Sequence, residues 1–309
     1  MLVCNLREVK QMKFFVTGVN GQLGHDLMIE LNRRGFEAVG SGSRPTCSEN
    51  MTYVSLDICD AAAVERTIAA VKPDVVIHCA AWTAVDGAEE PENYDKVYAV
   101  NATGTRNLAQ ACKAQNCKMI YISTDYVFNG QGTEPWQPDD KSYAPLNVYG
   151  QSKLTGEMAV AQTMEKYFIV RTAWVFGING GNFVKTMLKL SDSHDSLRVV
   201  NDQIGTPTYT ADLARLLVDM ALTDKYGYYH ATNEGGYISW YDFACEIFRK
   251  AGKNVSVQPV TTAEYGLSRA KRPFNSRLDK SNLVQMGFQP LPTWQNALDR
   301  YLTELEKQR

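Results

Sequence analysis

Tyr149 and Lys153 stand four residues apart in the stretch YGQSK. On a helix, positions i and i+4 share one face, so a phenol and an ammonium would lie one turn from each other. A free phenol titrates near 10 and is a poor acid–base group at neutral pH. A neighbouring ammonium would stabilise the phenolate and draw that value toward the working range. The three donors of the lysine could also hold ribose hydroxyls. Because Y-x-x-x-K is common by chance, the pair needs company. Ser123 and Thr124 supply it at the end of an apolar run, where a hydroxyl could polarise a carbonyl oxygen beside the tyrosine. Asn101 lies inside a predicted helix although asparagine is a moderate helix former. It either satisfies a surface face or holds a water that relays protons to Lys153.

These groups need a scaffold, and the pattern predicts one. Residues 13–18 form a short apolar run ending in glycine, and 22–35 carry Leu23, Leu27, Ile29 and Leu31 at helical spacing before Gly35. Further strands are predicted over 36–41, 51–58, 73–81, 118–128 and 167–176. Helices are predicted over 60–71, 91–115 and 147–160, with a Pro/Gly/Asp-rich loop before the last. Strands alternating with helices make a parallel sheet covered on both faces. The expected fold is therefore α/β, a Rossmann-type doubly wound parallel sheet. Residues 12–173 would be the dinucleotide-binding domain. Residues 174–309 would be mainly a smaller C-terminal α/β substrate lobe, with some segments returning to the first domain. A closing helix over 294–308 places Leu298, Tyr301, Leu302 and Leu305 on one face.

Between the first strand and helix lies Gly18-x-x-Gly21-x-x-Gly24. Such a turn lets backbone N–H groups and the positive helix end face a pyrophosphate. Its spacing is one residue longer than the G-x-G-x-x-G fingerprint. NAD binding calls for an acidic residue at the end of the second strand, but Ser41, Ser43 and Arg44 stand there. These could accept a 2′-phosphate, which favours NADPH over NADH. Arg44 could equally be a solvated loop charge.

Composition narrows the partners. Hydrophobic residues are 44% and charged residues 21% of 309, with a net charge of -2. That balance gives no basic field to hold nucleic acid or an anionic membrane. Apolar runs such as VVIHCAAW fall short of the ~18 residues a spanning helix needs. Residues 1–11 lack an apolar signal region and read as an extension before Met12. Seven cysteines without a C-x-x-C pair suggest reduced thiols in a cytoplasmic setting, and no zinc site.

Taken in order, GVNGQLG, CAAWTAVD, VNATGT, STDYVF, PLNVYGQSK and RTAWVFG resemble the extended short-chain dehydrogenase/reductase family. Residues 181–188, 199–208 and 272–279 are similar to its branch that reduces dTDP-4-dehydro-β-L-rhamnose. The resemblance implies a catalytic trio of Thr124, Tyr149 and Lys153, with Asn101 as a fourth member. It implies that Gly21, Gln22 and Leu23 line the pyrophosphate turn and that Asp57 and Ile58 lie beside adenine. Ala81, Trp82 and Thr83 would lie along the nicotinamide. Asp125 and Trp174 would meet the sugar. Polar candidates for the thymidine diphosphate are Asn201, Gln203 and Thr208, with Arg272 or Arg277 as charge partners.

Relatives often carry Asp where Ser41 stands, which again supports NADPH. Some dimerise through a magnesium ion held by carboxylates. Asp26 fits one such position, but Ala211 and Gln295 replace the others, so a monomer or weak homodimer without a metal bridge is expected. Two rivals stay open. One is another nucleotide-sugar reductase or epimerase of the family; the other is a non-catalytic regulatory subunit resembling the methionine adenosyltransferase β subunit.

Overall fold

Alternating side chains of single strands feed two separate cores, and this places the sheet between two helical layers. The computed structural model describes residues 12–47 and 51–307, so the predicted extension over 1–11 lies outside the described residues. Strand β1 (Lys13–Thr17) turns Phe14 and Val16 to one core and Phe15 to the other, all fully or almost fully buried. Helix α1 (Gln22–Arg33) covers the first core together with the helix Thr210–Ala221, through Leu27, Leu31, Leu213 and Leu217. Helices α2 (Ala61–Val71), α4 (Thr105–Ala114) and α5 (Val148–Thr163) cover the second, with Ile68, Leu108 and Val160. Burial on both faces is what parallel strands require.

The other strands are β2 (Glu37–Gly42), β3 (Tyr53–Ser55), β4 (Val75–His78), β5 (Lys118–Thr124) and β6 (Tyr167–Thr172). With Gly227–His230 they form a seven-stranded sheet in the order Gly227–His230, β6, β5, β4, β1, β2, β3, and every pairing is parallel. The doubly wound α/β expectation is thus met. Strand order reverses between β1 and β4, and open α/β sheets bind ligands at such a switch point, outside the carboxyl ends of the strands. Residues 196–200 and 256–260 pair in a small parallel ribbon. Aromatic side chains including Phe176, Phe243, Trp294 and Tyr301 build a third core beneath the closing helix Trp294–Lys307. Among the described residues no helix is long and apolar enough to cross a membrane.

Two predicted elements are broken, each beside the cleft. The helix expected over 91–115 divides into a short helical turn, α3 (Tyr94–Tyr98), a π-helical turn Ala99–Gly104 and α4. Such π turns often mark functional sites, and this one holds Asn101. The strand expected over 167–176 stops at Thr172. Trp174 takes φ +50°, which a strand cannot, and Val175–Phe176 pairs instead with Thr208–Tyr209.

Candidate active site

A cleft of about 850 Å³ runs along the carboxyl ends of the strands. Asn147 caps α5, its Oδ1 accepting from Gly150 N at 2.8 Å. That cap fixes the first turn, so Tyr149 and Lys153 both face the cleft, opposite Thr124 at the end of β5.

The electrostatics correct one expectation. Burial pushes the Tyr149 phenol up to about 12, with the Thr124 hydroxyl pulling the other way and the Asp125 charge adding to the rise. Lys153 does not acidify it. Its Nζ donates to Ile122 O at 2.7 Å and sits 4.1 Å above the Tyr121 ring. Burial lowers Lys153 to about 7, opposed by the nearby Glu157 carboxylate. The phenol is therefore held protonated at neutral pH, the state a proton donor needs.

A sign follows for stability. Between pH 7 and 10.5 the unfolded chain keeps the Lys153 proton that the folded protein releases. Stability contributed by this group thus rises with pH through that window and is lost as pH falls toward 7. Urea unfolding of the wild type and Lys153→Met as a function of pH is expected to show the wild type gaining on the variant from pH 7 upward. A flat difference would contradict the shift.

Asp125 is 2% exposed, and burial raises its carboxyl to about 6, opposed by the Ser276 and Thr124 hydroxyls. Thr124 Oγ1 donates to its Oδ1 at 3.1 Å. Asp125 Oδ2, Ser123 Oγ and Ser41 Oγ are buried without a hydrogen-bond partner, and all three residues line the cleft. Buried polar atoms are normally paired, so orphans at both ends of one cleft fit a polar ligand.

At the nucleotide end, Gly18, Gly21, Gln22, Leu23 and Gly24 form the wall. Gly18 has φ +74°, and a Cβ on it would lie 2.6 Å from Ala80 N, so no other residue fits. No side chain caps α1. The amides of Gln22, Leu23 and Gly24 are thus left without intrahelical acceptors, as an anion would use them. Ser41, Ser43, Arg44, Asp57, Ile58, Ala81, Trp82 and Thr83 also line the cleft. The residues present therefore fit a dinucleotide.

Asn101 is absent from the lining. It is fully buried, its Oδ1 accepts from Trp82 N at 2.8 Å, and its Nδ2 donates to Trp82 O and to Ser152 Oγ. The side chain clamps the loop at Trp82 rather than pointing a group at Lys153, which corrects the relay expected of it.

At the sugar end, Trp174 stacks on Trp240 with ring centroids 3.7 Å apart, and Phe183 lies against Trp240. Arg272 lines this end and forms a bidentate pair with Asp86 (3.1 and 2.6 Å), which holds its guanidinium in place and leaves other N–H donors for a phosphate. Four further candidates stay away from the cleft. Asn201 is drawn into the pairing with 256–260 through its N–H to Val260 O, and Gln203 Nε2 donates to Thr262 Oγ1. Thr208 Oγ1 donates to Ala173 O, and Arg277 Nη1 to Asn275 Oδ1. The side chains of Gln203, Thr208 and Arg277 serve the lobe's own groups, and Asn201 is exposed outside the cleft lining.

Sequence reasoning missed Trp240, Phe183, Asn20 and Tyr126, which also line the cleft. Ser239 and Asp242 form a capping box that announces the helix opening at Trp240. Nothing in that signal says that the indole reaches Trp174. The carboxylate of Asp26 accepts from Thr210 Oγ1 and contacts His25, so it is engaged within the chain. Among the described residues no group of three or more His, Cys, Asp or Glu could hold a metal ion.

Residues 12–307 match the family described as RmlD substrate binding domain. A dTDP-4-dehydrorhamnose reductase of Streptomyces griseus is 43% identical over 297 residues, 93% of this chain and 91% of that protein. Among solved structures, a dTDP-4-dehydrorhamnose reductase of Clostridium acetobutylicum is 42% identical with a TM-score of 0.88, covering 96% of this chain and 100% of the other. The enzyme of the same name from Bacillus anthracis, in complex with NADP, is 40% identical with a TM-score of 0.88 over 95% of this chain and 99% of its own.

Proposed function

This chain belongs to the RmlD substrate-binding family, and on that premise we propose that it reduces the C4 ketone of dTDP-4-dehydro-β-L-rhamnose to dTDP-L-rhamnose with NADPH. The observation that carries this reading is the meeting of Thr124, Tyr149 and Lys153 on one cleft that continues to the uncapped start of α1. Residues 12–173 hold the cofactor, and most of 174–309 holds the nucleotide sugar. The reaction belongs in the cytoplasm, in a protein that is a monomer or weak homodimer.

When bound, NADPH supplies the hydride that adds to C4. Tyr149 gives its proton to the oxygen that becomes the hydroxyl, so one hydride and one proton turn the ketone into an alcohol. Thr124, turning its one proton from Asp125 Oδ1, donates a hydrogen bond to the same oxygen as charge develops on it. Lys153 orients the nicotinamide ribose through its ammonium donors. Asp125, with its free Oδ2, accepts from a sugar hydroxyl. Gln22, Leu23 and Gly24 amides take the pyrophosphate, and Arg44 takes the 2′-phosphate.

Removing the Thr124 hydroxyl as Thr124→Val is expected to lower kcat by about 10²-fold, on the scale of losing one such donor, with KM little changed. Steady-state kinetics checks it. Substrate identity is tested by offering the purified protein a panel of 4-keto sugar nucleotides with NADPH. The highest kcat/KM is expected with dTDP-4-dehydro-β-L-rhamnose. A higher value with another keto sugar would assign a different reductase of the family. No turnover with any of them would favour a binding subunit.

A further inference from the structure

Tyr53 lies on β3, outside the cleft lining, yet its hydroxyl reaches two carbonyls of the segment that bears Ser43 and Arg44. It is 2.9 Å from Gly42 O and 2.7 Å from Arg44 O. One phenolic proton is shared between them, so the hydroxyl ties the start and end of the turn to the neighbouring strand. Gly42 completes the arrangement. A Cβ there would lie 2.7 Å from Asn20 Nδ2 and 3.1 Å from the Tyr53 hydroxyl, so a larger residue would push these side-chain ends aside. Asn20, Gly42, Ser43 and Arg44 themselves line the cleft, beside the buried and unpartnered Ser41 Oγ.

An arginine on a loose turn spreads its guanidinium over many positions and loses entropy when an anion fixes it. One whose backbone carbonyl is already held presents its fork at less cost. We infer that Tyr53 is a positioning residue for cofactor selectivity: its hydroxyl holds the Gly42–Arg44 turn in the shape that receives an adenosine 2′-phosphate. This rests on the reading of the cleft as an NADPH site. Tyr53 does not line the cleft, and the two carbonyls it holds flank Ser43 and Arg44, the candidates for the 2′-phosphate, whereas the amides at the start of α1 that face a pyrophosphate make no contact with it.

The test compares 2′,5′-ADP with 5′-AMP by calorimetry on the wild type and Tyr53→Phe. The ring is kept, so the packing of β3 is retained, and thermal unfolding verifies that the variant folds. Loss of the hydroxyl is expected to weaken 2′,5′-ADP by about five- to tenfold, the scale of one hydrogen bond, and to leave 5′-AMP unchanged. In turnover the same variant is expected to raise KM for NADPH with kcat unaltered and kcat/KM for NADH preserved. An equal loss for both nucleotides would mean general damage to the fold and would overturn the inference, as would no loss for either. A wild type that binds 5′-AMP as tightly as 2′,5′-ADP would overturn the NADPH reading itself, and with it this role for Tyr53. A wild-type preference that Tyr53→Phe leaves intact would overturn only the role.

Discussion

Tyr149→Phe is expected to reduce kcat for the keto sugar by about 10²–10⁴-fold, the range for a positioned general acid. The Kd for NADPH is expected to stay within about twofold, because the phenol gives up only its proton to the reaction. The size follows from geometry and charge together. Tyr149 packs edge-on against Tyr126, with ring centroids 5.7 Å apart, so phenylalanine keeps the ring in place. The hydroxyl is the only atom lost. Since burial holds the phenol at about 12, the wild type carries its proton throughout the neutral range, and the loss in the variant is expected to be the same at every neutral pH. Steady-state rates with fluorescence titration of NADPH check both halves. A variant that keeps the wild-type rate would refute the catalytic role of Tyr149.

The second large effect lies one turn further along α5. Glu157 follows Lys153 by four residues and forms a bidentate pair with Arg171 of β6, at 2.9 and 2.8 Å. Both side chains are removed from water, at 0% and 1% exposure. Arg171 also donates to Pro138 O and to Tyr143, and packs over Phe128 and Tyr228. Removing one member of such a pair strands a buried charge at a cost of about 3–5 kcal/mol. Glu157→Gln is therefore expected to lower Tm by about 5–8 °C in a chain of this size. Replacing both members by apolar residues of similar volume, Glu157→Leu with Arg171→Met, is expected to recover most of that loss. Thermal unfolding of the three variants decides it. A small effect of Glu157→Gln would show that water reaches the guanidinium.

The sheet was legible because its signals are local. The strands β1, β4, β5 and β6 carry compact apolar runs and the glycine turn after β1 marks a strand-to-helix junction, whereas Gly227–His230, with no such run, is not among the predicted strands. Tyr149, Lys153 and Thr124 could be placed because helix spacing and strand ends fix direction within a few residues. The charge state of Tyr149 could not be read in this way. Four-residue spacing puts Lys153 on the same face but does not say that its Nζ turns to Ile122 O. Asn101 illustrates a similar limit, since only the folded chain brings Trp82 and Ser152 to its amide. The lobe was least legible. Asn201, Gln203, Thr208 and Arg277 are polar residues in recognisable stretches, yet the folded lobe keeps all four out of the cleft lining and bonds the last three side chains to its own groups. Trp240 reaches the cleft from a segment far along the chain, next to a Trp174 whose left-handed backbone no propensity favours.

The measurement closest to the central claim follows the transferred atom. Protein, dTDP-4-dehydro-β-L-rhamnose and NADPH deuterated at the transferable position of its nicotinamide are mixed, and the sugar product is examined by NMR. Deuterium bonded to C4 of dTDP-L-rhamnose, in step with the consumption of cofactor, is the expected result. Unconsumed cofactor, or a product free of deuterium at C4, would contradict hydride transfer at this cleft.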